Sequence, residues 1–540
     1  MTGAVPWGKK VVANDLPPRS DAMKTFLARY LPSITGVLSG FDRLVFRGSL
    51  IPLIRKGGMY TFLQRSGVQL LGFKDFVRTT SEQLKDASLA EAREHDRPIR
   101  HLQSSTTDKE AFARQLLQEH PVDTGLICVL TVVEPCSSFE YHLSQDPGQR
   151  GLKLGPRKCL HLYKYYLHSQ FGWINARIQT WFPFNIQICL NGREWLARQL
   201  QAEGKTEFKR HDNCFTWLGE PELAQRLADQ QLRTDWPDSL NTIARSLNPL
   251  HTQIFQPWPQ DYYWSAYQTE WATDILFRDP RCLAALYPSL VQHAMTHFQS
   301  PDVLRFLGRK AHGNFTGELT TSFKNRPEGV RVKHWVQGNS IKMYDKGGSV
   351  LRVETTIANP LDFKVLRPLQ DHPDGTLAWR PMRKGVADLH RRAQVSQRAN
   401  ETYLEALAAV EDITPLAELF DQVAKPVTYR NQRVRALRIG DPQDIALLEA
   451  ISRGEFATAG LRNRDLRSLL YPATKTRSQA EERRLSAKVS RQLRLLRAHG
   501  LIRKVAKSHR YRLTAKGQLL TAALFAARKA SVKQLLAQAA

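Results

Sequence analysis

Residues 124–135, TGLICVLTVVEP, form a run of apolar, largely β-branched side chains that lacks the alternation of a half-solvated strand. A strand that is apolar at successive positions has to be covered on both faces. That requirement points to a mixed α/β architecture, and the flanking segments agree with it. SGFDRLVFRGSLIPL (39–53) is β-prone, and residues 59–120 are rich in helix formers and charges. KCLHLYKYYLHS (158–169) and WINARIQTWFPFNIQICLNG (173–192) read as further strands. Asn191-Gly192 marks a turn before the helical stretch REWLARQLQAEG.

A chain of 540 residues is too long for one ordinary core. We expect an α/β (α+β) multidomain protein with a basic leader over 1–35 and a mixed α/β domain over 36–235. A central α+β domain over 236–385 carries a hairpin at 330–357. A helical connector over 386–440 leads to a terminal domain over 441–540. Residues 236–300 are rich in Trp and Tyr, with helical stretches such as PRCLAALYPSLVQHAMTHF.

Several classes are excluded or disfavoured. No apolar run approaches the ~20 residues of a membrane-spanning helix, so no membrane partner is expected. The first residues, MTGAVPWGKKVVANDLPPRS, contain no apolar core of a secretory signal. The six cysteines form no Cys-x-x-Cys pair, which disfavours a disulfide framework or a zinc ribbon. The chain reads as cytoplasmic and reduced. No Gly-rich phosphate loop, serine nucleophile elbow or kinase signature is present.

Charge is distributed unevenly. The net charge is +27, and residues 451–540 hold 21 Lys and Arg against 4 Asp and Glu, which is +17 of that total. A basic module of domain size points to a polyanionic partner, DNA before RNA. Its pattern is legible. DIALLEAISRGEF and NRDLRSLLY read as helices, the second with Asn463 as N-cap and Asp465 in its first turn. EERRLSAKVSRQLRLLRAHG is a third helix that ends at Gly500, with Leu485, Val489, Leu493 and Leu496 on one face. LIRKVAKSHRYRLT alternates as a hairpin, and a last helix starts at Ala515. This order, and LLRAHGLIRKV followed by YRLTAKG, resembles a winged helix-turn-helix domain of the MarR-like or ArsR-like kind. In that family the third helix enters the major groove and the wing touches phosphate or the minor groove. The resemblance makes Arg484, Lys488, Ser490, Arg491 and Arg494 candidate contacts on the helix. Arg503, Lys507, Arg510 and Arg512 become candidate contacts on the wing.

NSIKMYDKGGSVLRVETTI (339–357) is a second informative stretch, with Tyr344, Asp345 and Lys346 on one strand and Arg352 and Glu354 on the next. It is similar to the core hairpin of rolling-circle replication initiators, although the His-hydrophobic-His strand motif of many such nickases is missing. The resemblance implies a tyrosine nucleophile at Tyr344, a metal-holding carboxylate at Glu354, Mg2+ or Mn2+ as cofactor, and Lys346 offsetting phosphate charge. Residues two apart share a strand face, so Tyr344, Lys346 and Glu354 are expected on one side. The same residues also suit a solvated strand pair with an Arg–Glu bridge. Asp42 and Glu134, both in strand-like runs, are alternative metal ligands of the RNase H-like kind. The aromatics Tyr163, Tyr165, Tyr166, Trp181 and Phe182 read as core and rim of a sheet rather than as a base-stacking platform.

These features predict a DNA-binding protein of mobile-element or replication type, nicking or rejoining DNA at a site chosen by the winged helix. A non-enzymatic winged-helix regulator and an RNA-binding or RNA-guided effector are the alternatives.

Overall fold

The computed structural model describes residues 23–143, 150–248, 250–296, 298, 300–307, 319–326, 329–369, 372, 375–408, 416–453, 456, 460–472, 478–505 and 508–529. The leader up to residue 22 and Lys507 lie outside the described residues. In chain order the strands are β1 (Ile34–Ser49), β2 (Ile99–His101), β3 (Gly125–His142), β4 (Gly151–His168), β5 (Gly172–Gln179) and β6 (Ile186–Asn191). A small hairpin follows, β7 (Phe208–His211) with β8 (Cys214–Leu218), and then β9 (Tyr263–Phe277). Next are β10 (Leu319–Arg326), β11 (Gly329–Val336), β12 (Asn339–Lys346) and β13 (Val350–Ile357). Three short pairs close the series: β14 (Lys364–Arg367) with β15 (Ala378–Pro381), β16 (Val427–Tyr429) with β17 (Gln432–Val434), and β18 (Ile502–Lys504) with β19 (Tyr511–Leu513). The chain is thus mixed α and β, as its sequence implies.

Packing divides it into two units. Among the described residues, the first holds Gly36–Ala272 and Thr356–Gln394; the second holds residues 23–35, Thr273–Thr355, and the chain from Val395 onward. In the first unit the strand order is β9-β1-β6-β5-β4-β3-β2. β2 runs parallel to β3, whereas β4 and β5 are antiparallel to their neighbours.

The continuous apolar run is the middle of β3, where Leu126 through Val132 are all buried. Cys128, Leu130 and Val132 join a core cluster with Ala113 and Leu116 of the helix Lys109–Glu119. Leu126 and Val129 instead pack with Ala92 of the helix Phe73–Glu94. Helices on both faces explain the missing alternation. β3 continues past the Glu134-Pro135 pair to His142, paired with β4 throughout. Beyond Thr131 it has lost β2 as a neighbour, so the missing N–H of Pro135 can sit outside the ladder.

In the second unit the order is β10-β11-β12-β13-β9. The glycine pair between β12 and β13 adopts positive φ at both Gly347 and Gly348, as a tight turn requires. β13 is buried at all eight positions, Arg352 and Glu354 included. A charged side chain that deep needs a partner. Arg352 finds one in Asp274, donating from Nε to Oδ1 at 2.5 Å and from Nη2 to Oδ2 at 2.9 Å, with both residues fully buried.

The carboxy-terminal part of the second unit has helices Pro442–Ser452, Asn463–Leu470 and Gln479–Ala498, the β18–β19 hairpin, and the helix Ala515–Lys529. Val489, Leu493 and Leu496 of the third helix pack with Leu447, Leu448, Ile451 and Leu466. Leu419, Val423 and Leu437 belong to the same core, so the module begins before Asp441. Asn463 does not cap its helix. Arg462 holds the cap position, its backbone N–H donating to Asp465, while the Asn463 amide reaches across to the Ser486 carbonyl and the Ser490 hydroxyl. Gly500, at φ +71, ends the third helix. The N–H groups of Gly500 and Leu501 return to the carbonyls of Arg497 and Leu496, the double bond of a Schellman cap.

Candidate functional sites

The basic module presents its charge through local folding rules. Several of its acids are occupied at helix beginnings. Asp441 caps the first helix, Asp465 accepts from the N-cap of the second, and Glu481 closes a capping box with Ser478 at the start of the third. Glu482 pairs with Arg467 at 3.0 Å. Downstream of these acids only cations follow. Arg484, Arg491, Arg503 and Arg512 are exposed and form no ion pair among the described residues.

The other candidates have local roles as well. Lys488 is exposed and lies over the Tyr471 ring at 4.7 Å. Ser490 accepts the Asn463 amide at 2.9 Å, which ties the third helix to the second. Arg494 donates to Gln432 of the β16–β17 hairpin, a contact made at the surface. Arg510 is partly buried; burial, and then the neighbouring Arg462, lowers its pKa. Arg497, on the same helix, lies over both Tyr429 and Tyr511.

The hairpin 339–357 brings two of its three candidates together. The Tyr344 hydroxyl donates to Glu354 Oε2 at 2.8 Å, and the Lys342 ammonium pairs with Glu354 Oε1 at 2.7 Å. Lys342 also lies 5.5 Å from the centre of the Tyr344 ring. The pair is enclosed rather than set in a cleft: Glu354 is fully buried and Tyr344 is 7% exposed. Lys346 is buried too, at the far end of the strand. Lys342 was not singled out in the sequence, although it stands two residues before Tyr344 and therefore on the same face.

In the first unit, Asp42 is buried on β1 and accepts the Asn213 amide at 2.8 Å. Glu270 of β9 accepts from Gln268 at 2.8 Å. The Asp42 and Glu270 carboxylates offer oxygens within 4.8 Å of one another. One hard cation with oxygen ligands at about 2.0–2.6 Å can span that separation. Glu134 is differently placed. It accepts from Tyr163 at 2.8 Å and from Arg177 at 2.8 Å, and Lys109 lies 3.1 Å from its other oxygen. Burial acts to raise its pKa, but these donors outweigh it and hold the carboxyl below its ordinary range. Glu134 is therefore a node of ion pairs, already neutralised by the protein.

The aromatics of β4 and the following strand-end are structural. Tyr165 and Phe182 are buried, Tyr166 donates to Glu91, and Trp181 donates to the Phe139 carbonyl at 3.1 Å. No protein-family model, curated protein or solved structure matches the chain.

Proposed function

We propose that the chain is a DNA-binding protein whose carboxy-terminal module acts as a winged helix-turn-helix, the third helix in the major groove and the β18–β19 hairpin as the wing. The observation that carries this reading is the set of exposed, unneutralised arginines on those two elements, Arg484, Arg491, Arg503 and Arg512. A solvated helix face ordinarily mixes signs, and here Asp465 and Glu481 are held at helix N-termini. DNA phosphates would take the place of the missing counter-charges. The test is duplex binding by the full chain over a range of salt. Affinity should fall log-linearly, because bound phosphates release counterions. RNA that copurifies and outcompetes duplex DNA would transfer the reading to RNA.

A second reading adds strand nicking of the mobile-element or replication type; it rests on the Tyr344–Glu354 hydrogen bond and requires that enclosed pair to open to DNA. In that reading Glu354 accepts the phenol proton as the Tyr344 oxygen attacks a phosphodiester. The O–P bond to tyrosine forms, the P–O3′ bond breaks, and the 3′-oxygen leaves as a hydroxyl after taking up a proton. Lys342 balances the buried carboxylate. A divalent cation such as Mg2+ or Mn2+ would supply charge for the phosphate when bound. A denaturation-resistant protein–DNA adduct that disappears in Tyr344→Phe is the expected result. Cleavage without an adduct in Tyr344→Phe would point to metal–carboxylate chemistry instead. No cleavage under any metal would leave a regulator without enzymatic activity.

A further inference from the structure

Two of the six cysteines meet on one face of the β3–β4 ladder. Cys136 stands opposite Arg157, and Cys159 lies two residues beyond Arg157, opposite Glu134. Opposed residues and residues two apart share a face, so the two side chains are diagonal neighbours. Both thiols are free, and they hydrogen bond to one another. β2 accompanies β3 only as far as Thr131, and β5 pairs with β4 only from His161 onward. At the level of the thiols β3 and β4 are therefore each other's only strand neighbours among the described residues. No third strand resists the small approach that a bond between the sulfurs needs.

The two sulfurs differ in access and in chemistry. Cys136 is partly exposed, so a small solute can reach it, whereas Cys159 is buried. The Cys159 S–H donates to Cys136 and favours it as a thiolate. The Arg177 and Arg157 guanidinium groups act in the same direction, and against the opposing effect of burial its pKa falls to about 7. Cys159 is pushed upward by the same hydrogen bond and by burial, so it keeps its proton. The other charged groups around the pair are already engaged. Glu134 holds Tyr163, Arg177 and Lys109, and Glu140 pairs with Arg157. His161, with Nδ1 3.9 Å from the Cys159 sulfur, stays neutral because burial lowers its pKa to about 4. An accessible thiolate beside a protonated, sheltered thiol is the arrangement of an attacking and a resolving cysteine.

We propose that Cys136 and Cys159 form an oxidation site, in which a hydroperoxide oxidises Cys136 and Cys159 resolves the product as a disulfide. The Cys136 sulfur attacks the peroxide oxygen, the O–O bond breaks, and the departing oxyanion takes a proton from water. Cys136 is left as a sulfenic acid. The Cys159 sulfur then attacks the Cys136 sulfur. The S–S bond forms, the S–O bond breaks, and the hydroxide leaves as water with the Cys159 proton. The two sulfurs together lose two electrons, which the peroxide gains. The product ties β3 to β4 beyond the reach of their flanking strands, and a dithiol reductant reopens it. The site is independent of the carboxy-terminal module and stands even if that module binds no DNA.

Treatment of the full chain with hydrogen peroxide, followed by alkylation under denaturing conditions and peptide mass spectrometry, tests it. Wild type should lose two of its six alkylatable thiols. The loss should appear as one linked peptide pair joining Cys136 to Cys159, and dithiothreitol should restore both thiols. Cys159→Ser removes the resolving sulfur, so the reaction should stop at the sulfenic acid and dimedone should label Cys136. Wild type, which resolves that intermediate, should take up little dimedone. Cys136→Ser should retain all its remaining thiols at the same dose. Serine replaces each sulfur with a smaller oxygen, and the wild-type peptide map stands even if a variant folds poorly. The proposal is overturned if another cysteine is oxidised first, or if the linked peptides join any other residues. It is overturned equally if dimedone labels Cys136 as heavily in wild type as in Cys159→Ser, or if excess peroxide leaves every thiol intact.

Discussion

Arg503 and Arg512 stand directly opposite one another across the β18–β19 hairpin. Both are exposed and neither has an acidic partner among the described residues. Like charges facing across an antiparallel pair are destabilising by a few tenths of a kcal/mol or more. The hairpin therefore carries a repulsion that a polyanion would relieve. Arg512→Ala should leave the free protein as stable as before, or slightly more so. The same change should weaken duplex binding and reduce the slope of log K against log salt by about 0.9. Thermal melting and binding measured together on the one variant check both halves.

The shared core of Leu419, Val423 and Leu437 with Leu447, Leu448 and Leu496 predicts where the module can be cut. A fragment starting at 416 should unfold cooperatively. One starting at 441 loses three buried aliphatic side chains, each worth about 1.5–3 kcal/mol, against a domain stability of about 5–15 kcal/mol. It should be marginal or molten. Denaturant melts of the two fragments decide, and equal midpoints would refute the extended boundary.

Removing Tyr344's hydroxyl or Lys342's charge from Glu354 should have unequal consequences. Tyr344→Phe deletes one hydrogen bond to a buried carboxylate, a loss of about 1–3 kcal/mol. Lys342→Met deletes the opposite charge and should cost more, about 3–5 kcal/mol. Chemical denaturation of both variants gives the order, and a larger loss in Tyr344→Phe would contradict it.

His334 makes the second unit acid-sensitive. Its ring bonds to Thr321 and Tyr403, and burial pushes its pKa down to about 4. The unfolded ring titrates near about 6.5. Between those values the unfolded chain takes up a proton that the folded chain refuses. The stability contribution is thus complete above about pH 6.5 and declines as the pH falls toward 4. The gap corresponds to about 3 kcal/mol. His334→Gln should melt lower at pH 8 but show a flatter decline between pH 7 and 4.5.

How far the sequence reveals this molecule depends on how local each signal is. The buried run of β3 is legible because two covering helices erase the period of two. The third helix of the module is legible through its apolar face, its capping box and Gly500. β9 is hidden inside a Trp- and Tyr-rich stretch, since Gln268, Glu270 and Asp274 interrupt its apolar pattern. With β9 unrecognised, Glu270 could not be set beside Asp42. Strand neighbours so distant in sequence leave no local trace. Lys342 sits within the quoted hairpin and was open to the period-two argument. The buried charge pairs of the hairpin were not, because Arg352 reaches Asp274, 78 residues away. Cys136 and Cys159 carry no spacing signature. They become neighbours only when β3 and β4 pair.

The most direct test of the central claim is the affinity of the full chain for duplex DNA as a function of salt, measured for wild type, Arg491→Ala and Arg494→Ala. Wild-type affinity should fall log-linearly with salt. On a preferred site Arg491→Ala should lose about 1–3 kcal/mol, and Arg494→Ala less, since Arg494 is engaged with Gln432. Absent or salt-independent duplex binding, or an Arg491→Ala variant that binds like wild type, would contradict it.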